Sequence, residues 1–283
     1  MTSAEWLEKA VAYLAERGAP EGRASAEFLL AEALGTGRGA AVADGRRRLT
    51  EKQAFHFWEM VKARGKRSPI AHIVGRQPFL GLDIAVTPDV LIPRPETEEL
   101  VLECERLVKS LGVAAPKVVD LGTGSGCIAI ALAQLLPHAT VFATDISDKA
   151  LKLAEKNAIT HHVGNRVRFV REDLFSEKQN LRGWADLVVS NPPYIPSKEV
   201  DKLEPEVLKE PRLALDGGKD GLDALRAVAV AASKLLKSGG FIALEFGEGQ
   251  GPAVAALLAD AGYTSVVLKK DAQGVERLAA AKW

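Results

Sequence analysis

Cysteine is almost missing from this chain of 283 residues: Cys104 and Cys127 are the only two, far apart and without a C-x-x-C pair. That scarcity points to a reduced, cytoplasmic chain. An excess of charge is missing as well. The 37 basic and 37 acidic residues give a formal net charge of +0, so no global attraction to nucleic acid is implied. No apolar run approaches the roughly 18 residues of a membrane span. The N-terminus, with Glu5 and Glu8, lacks the basic-then-apolar order of a signal peptide. His161 and His162 are adjacent rather than at ligand spacing, and no Cys or His cluster surrounds them, so no metal site is expected.

What is there is an ordinary globular composition, 47% hydrophobic and 26% charged, at a length comfortable for two domains. Residues 1–70 read as a helical domain, because apolar residues recur at helical spacing: Trp6, Ala10, Val11 and Leu14, then Phe28, Leu29, Ala31 and Leu34. A third helix starts at Thr50, an N-cap residue, and carries Phe55, Trp58 and Val61. The basic run Arg46, Arg47 and Arg48 reads as a solvated face. Residues 71–95 change to short β-like pieces, 70–74 and 82–86, separated by Gly75, Pro78 and Gly81, which predicts a β-hairpin linker.

Residues 96–283 alternate strands and helices, the mark of an α/β fold with a parallel sheet. Strands are expected at 117–121, 140–144, 166–171, 187–190 and 241–246, with a closing pair near 265–268 and 276–280 that is close enough to be antiparallel. The first strand runs into Asp120-Leu121-Gly122-Thr123-Gly124-Ser125-Gly126. A nicotinamide fingerprint counted from Gly122 would need glycine at 127, where Cys127 stands. With an acid at the strand end, this loop suits a ligand that brings its own positive charge. Asp145 ends the second strand and suits the two hydroxyls of a ribose. Asp173 ends the third, and with Leu174 and Phe175 it suits an adenine held by its amino group between apolar walls.

The fourth strand ends in Asn191-Pro192-Pro193-Tyr194. Prolines fix their own φ and push the residue before them into the extended region, so the motif is rigid. The Asn191 side-chain oxygen and the Pro192 carbonyl can both accept from one NH₂ group, and the Tyr194 ring offers a flat wall. The motif alone fits a side-chain amide or an adenine equally. Residues 195–221, which hold Pro196, Pro205, Pro211, Gly217 and Gly218 and show no periodicity, far exceed the ~4–6 residues of a usual connection and read as a lid or docking surface.

Together these residues resemble the class I S-adenosylmethionine-dependent methyltransferases, which implies a Rossmann-like, seven-stranded, mostly parallel sheet. More narrowly, Ile92-Pro93-Arg94-Pro95-Glu96-Thr97-Glu98, the Asp120 loop, Ser190 to Ile195 and Glu210-Pro211-Arg212-Leu213-Ala214-Leu215 resemble the release-factor glutamine methyltransferases, the HemK/PrmC family. The resemblance implies methylation of glutamine N5 in the Gly-Gly-Gln loop of class 1 peptide-chain release factors, with S-adenosylhomocysteine as product. By position it implies that residues 122–126, Asp145, Leu174 and Asn191 meet the cofactor and that residues 191–194 hold the glutamine. Leu174 stands where some members carry an aromatic residue.

An amide nitrogen is a poor nucleophile, and two acceptors on its N–H groups orient it for attack on a sulfonium methyl. On this reading Asn191, Pro192 and Tyr194 are the catalytic residues, the chain acts as a monomer, the helical domain grips the release factor, and no nucleic acid or membrane is engaged. The rival readings are a glutamine methyltransferase of a large-subunit ribosomal protein, an N6-adenine nucleic-acid methyltransferase, and a non-catalytic cofactor-binding module.

Overall fold

The computed structural model describes residues 1–174 and 181–283, and Phe175 lies outside the described residues. The chain divides into two compact units, Met1–Arg76 with Glu204–Lys209, and Gln77–Leu203 with Glu210–Trp283.

The first unit holds α1 (Ser3–Glu16), α2 (Gly22–Leu34), α3 (Arg38–Ala43), α4 (Glu51–Gly65) and α5 (Ile70–Val74). Thr2 and Thr50 cap α1 and α4 through reciprocal bonds with Glu5 and Gln53, three residues on. Leu14, Leu29, Leu30, Phe57 and Val61 are fully buried between these helices. Residues 70–74, read as a β-like piece, are instead helical. Pro69 starts that turn and Gly75, in the left-handed region at φ 78°, ends it, and these two signals outweigh the β preference of isoleucine and valine.

Glu204–Lys209 belongs to this unit because Arg64 and Arg67 hold it there. Arg64, with a side chain 6% exposed, donates to Glu206 at 2.6 Å and to Ser25 Oγ, Pro20 O and Ser68 O. Arg67 donates to both Glu206 oxygens. Burial pushes the Glu206 carboxyl up, but the bonds from Arg67 and Arg64 outweigh it and bring it to about 2. Glu206→Ala leaves Arg64 buried without its carboxylate and is expected to cost about 3 kcal/mol in denaturant unfolding. Because the folded value is depressed, this contribution is present above the ordinary value of 4.5 and disappears as pH falls through about 2. A Glu206→Ala variant with wild-type stability at neutral pH would contradict this assignment.

From Gln77 the second unit carries the hairpin of β1 (Arg76–Phe79, its first residue counted with the first unit) and β2 (Leu82–Ala85), turned at Leu80 and Gly81, both at positive φ. Then follow α6 (Pro95–Ser110), β3 (Lys117–Leu121), α7 (Cys127–Leu135), β4 (Thr140–Asp145), α8 (Asp148–Thr160), β5 (Val167–Arg171), β6 (Ala185–Ser190), α9 (Ser197–Val200), α10 (Asp223–Leu235), β7 (Leu236–Glu245), α11 (Gly251–Asp260), β8 (Thr264–Lys270) and β9 (Glu276–Lys282).

The sheet is seven-stranded in the order β5-β4-β3-β6-β7-β9-β8, parallel except for β9, which runs against β7 and β8. Alternate residues feed its two faces. Val118 and Leu187 pack with α6, α7 and α8, while Val119 and Val188 pack with α10 and α11. Every residue of β6 is buried, as expected of a central strand covered on both faces. From β3 the chain winds outward through β4 and β5, then returns to place β6 on the other side of β3. The crevice at the carboxyl ends of β3 and β6 is therefore the topological switch point, where such sheets bind ligands. Among the described residues no helix is long and apolar enough to cross a membrane.

Candidate active site

A cavity of about 440 Å³ opens at that crevice. Gly122, Thr123, Gly124 and Ser125 line it after β3, Asp145 after β4, Asp173 and Leu174 after β5, and Asn191 and Pro193 after β6. Four separate strand ends thus deliver the predicted residues to one place. Asp120, Gly126, Pro192 and Tyr194 stand behind the lining rather than in it.

The glycine loop turns back on β4. The Gly122 and Thr123 amides both donate to the Thr144 carbonyl, at 2.9 and 2.8 Å. Asp120, fully buried, accepts from the Thr123 hydroxyl at 2.6 Å and so braces the loop from beneath. Gly126 serves packing: a Cβ there would lie 2.9 Å from Ala154 Cβ, and its absence lets α7 approach α8. Asp145 faces the cavity with its carboxylate held by backbone amides, Gly124 N on one oxygen and Ser147 N on the other, each at 2.9 Å. Each oxygen keeps a further lone pair for a hydroxyl donor.

At the other wall Asn191 Nδ2 donates to Thr97 Oγ1 at 3.0 Å, and Thr97 Oγ1 donates to Glu245 Oε2 at 2.7 Å. Tyr194 turns its hydroxyl toward the other Glu245 oxygen, at 3.4 Å, and its ring packs into the core beside Gly247. The ring expected to offer a flat wall is therefore partly buried against the core and acts as a brace, and desolvation pushes its phenol well above the ordinary range. Burial, with Glu96 adding, lifts Glu245 to about 7 against the Thr97, Tyr194 and Asn191 donors. Asp120 is lifted to about 7 chiefly by burial, with Asp145 adding and Thr123 opposing. Both acids lower the stability of the fold as pH rises from 3.8 and 4.5 through about 7.

Two of the sequence motifs meet in space. Glu210, 5% exposed, accepts from the Ile92 amide at 2.8 Å and from the Arg94 guanidinium, joining the segment before α6 to the one before the cavity-lining Pro211. Residues 215–218 lie along the Asn-Pro-Pro-Tyr backbone: Ile195 N donates to Leu215 O, and Gly217 N to Ile195 O. Residues 195–221, read as a lid or docking surface without periodicity, carry α9, two 3₁₀ turns and this paired edge.

A release factor glutamine methyltransferase of Geobacter sulfurreducens is 42% identical over 267 residues, covering 94% of this chain and 91% of its own. That of Cereibacter sphaeroides is 40% identical over 283 residues, covering 100% of this chain and 99% of its own. The chain belongs to the release factor glutamine methyltransferase family. Residues 5–75 match the PrmC N-terminal domain and residues 102–231 the Methyltransferase small domain. A solved methyltransferase of Pyrococcus furiosus shares the fold, at a TM-score of 0.52 and 19% identity, over 72% of this chain and 89% of its own.

In this family member, sequence reasoning missed three residues that hold the site. Glu245 sits in an apolar strand, where a lone acid is itself a signal. Asn157, 2% exposed on α8, donates to Ser125 O and Ala85 O and accepts from Ala85 N, tying β2 to the glycine loop. Gln250 donates to Tyr194 O at 2.9 Å. No helical periodicity or motif marks the last two.

Proposed function

We propose that this chain methylates N5 of the glutamine side chain in the Gly-Gly-Gln motif of class 1 peptide-chain release factors, with S-adenosylmethionine as donor and S-adenosylhomocysteine as product. The observation that carries this reading is the Asn191 amide: its NH₂ is committed to Thr97, so its oxygen, an acceptor, is the pole left for a substrate NH₂.

The residues of the cavity fit the cofactor. The backbone of Gly122, Thr123, Gly124 and Ser125 allows close approach, Asp145 offers two braced carboxylate oxygens to ribose hydroxyls, and Asp173 with Leu174 offers an acid and an apolar surface to adenine. Asp120 and Gly126 act through the loop they shape. S-adenosylmethionine, when bound, supplies a methyl group made electrophilic by a positively charged sulfur.

Asn191 Oδ1, at the cavity wall, accepts one N–H of the glutamine amide, and the Pro192 carbonyl, set behind that wall, accepts the other once the amide has entered between them, which turns its nitrogen and raises electron density on it. As the nitrogen–carbon bond forms and the carbon–sulfur bond breaks, the nitrogen becomes acidic. It then loses one proton to water without a dedicated base. The prolines freeze the two acceptors in place, so little ordering remains at the moment of transfer.

The test is transfer of labelled methyl from S-adenosylmethionine to purified release factor, beside its Gln→Ala loop variant, a large-subunit ribosomal protein and DNA. Label in the intact factor alone is expected. Label only in DNA or ribosomal protein would replace this reading with one of its rivals.

The helical unit is read as the grip on the body of the release factor. Removing residues 1–70 also strips Glu204–Lys209 of its partners, so a surface substitution tests the grip more cleanly. Phe55 on α4 is 69% exposed. Phe55→Ser is expected to raise KM for the intact factor about tenfold and to leave a short glutamine peptide unaffected, a loss of uniform binding. An equal change for both substrates would place Phe55 outside the grip.

A further inference from the structure

Thr97 lies in the first turn of α6 and is 2% exposed; Glu245 ends β7 and is 1% exposed. A threonine hydroxyl has one hydrogen and two lone pairs. Here the hydrogen is spent on Glu245 Oε2, at 2.7 Å, so toward Asn191 the oxygen can only accept. Asn191 must then present its NH₂ to Thr97, at 3.0 Å, and its Oδ1 on the opposite side. The polarity of the Asn191 amide is decided by Glu245, through the Thr97 hydroxyl and by its own pull on the same NH₂, although Glu245 never reaches the cavity lining.

We propose that Glu245 is the positioning residue that sets the Asn191 amide, through Thr97, with its oxygen toward the substrate. This rests on the reading of Asn191 as an acceptor for the substrate NH₂. A protonated Glu245 reverses the relay. Its O–H donates to Thr97, the Thr97 hydroxyl is freed to donate to Asn191 Oδ1, and the amide turns over. A substrate NH₂ then meets a donor instead of an acceptor, and the clamp is closed to it.

The groups that face Glu245 are Glu96 and Thr97 on α6, Asn191 and Tyr194 after β6, and Cys127 on α7. Arg277 of β9 and Arg94 before α6 act on the neighbouring Tyr194 phenol. Burial raises Tyr194 beyond any ordinary pH and Cys127 to about 12, so both stay neutral. Burial and Glu96 bring Glu245 itself to about 7, where the relay switches near neutral pH.

The test follows methylation of release factor together with the ¹⁵N side-chain amide resonance of Asn191, assigned by its loss in Asn191→Ala. Glu245→Gln is expected to lower kcat about 10²-fold with KM for the factor changed less than about threefold. The rise in wild-type kcat between about pH 6 and pH 8 is expected to vanish in that variant. Thr97→Ser, which keeps the hydroxyl, retains most of the rate and the pH profile, whereas Thr97→Val loses as much as Glu245→Gln.

The Asn191 resonance shifts with a midpoint near neutral pH in the wild type and not in Glu245→Gln. Wild-type rates in Glu245→Gln, or an Asn191 resonance insensitive to pH in the wild type, would overturn the proposal. If the wild type leaves the release factor unlabelled, the proposed substrate is wrong, and the resonance alone decides the role of Glu245.

Discussion

Asn191→Ala is expected to lower the rate of methyl transfer about 10²–10³-fold, the usual cost of removing one preorganised polar group from a reacting centre. On the proposed reading the substitution removes the acceptor offered to the substrate, and it also removes the donor that occupies Thr97. Cofactor affinity is expected to stay within about tenfold, because the glycine loop, Asp145 and Asp173 approach the cavity from other strands and are untouched. Asn191→Asp is expected to fare little better. It restores an acceptor, but it sets a second carboxylate against Thr97, whose single hydrogen already serves Glu245. Single-turnover transfer to release factor with equilibrium binding of S-adenosylmethionine separates the two effects. A near-normal rate in Asn191→Ala would remove the clamp from the mechanism.

The parts of this chain legible in its sequence are those fixed by local rules. The glycine loop announces itself because Gly122, Gly124 and Gly126 all take positive φ. The rigid Asn-Pro-Pro-Tyr follows an apolar strand because a buried central strand leaves no room for polar alternation. The misread pieces fail for local reasons too. Residues 70–74 carry β-branched residues in a stretch too short to show any period, and only the flanking Pro69 and Gly75 reveal the helical turn.

What stays hidden is held by partners far along the chain. Thr97 and Glu245 are 148 positions apart, and Arg64 and Glu206 are 142 apart. Asp120 is readable as an acid beside the glycines, but only the fold shows it bracing Thr123 from behind rather than facing the ligand. Sequence therefore identifies the groups that line the cavity better than the groups that brace them. The bracing groups are chosen by the geometry of a sheet whose strand order differs from chain order.

Gly221→Ala is expected to lower transfer about 10²-fold without unfolding the protein, the scale of loss that a misplacement of about 1 Å causes in a positioned site. Gly221 sits at φ +80°, and a Cβ there would lie 2.4 Å from the Tyr194 carbonyl oxygen, 2.7 Å from Gln250 Nε2 and 3.1 Å from Pro196 Cδ. Gln250 can swing away, but the carbonyl cannot without moving the backbone that follows two prolines. Gly217 shows the same intimacy: a Cβ there would lie 2.8 Å from both the Pro193 carbonyl and Tyr194 Cα. Because Pro192 and Pro193 have little torsional freedom to absorb a push, displacement at Tyr194 passes on toward Asn191.

Strain alone has to be separated from this effect. Gly274, at φ +84° in the β8–β9 turn, has nothing within 4 Å of a Cβ, so Gly274→Ala carries the left-handed penalty of about 1–2 kcal/mol without the collision. The expected outcome is a smaller loss of stability in Gly274→Ala than in Gly221→Ala and a loss of rate only in Gly221→Ala. Equal rates in the two would mean that the 217–221 edge adjusts without disturbing the clamp. Aim would then rest on Thr97 and Glu245 alone.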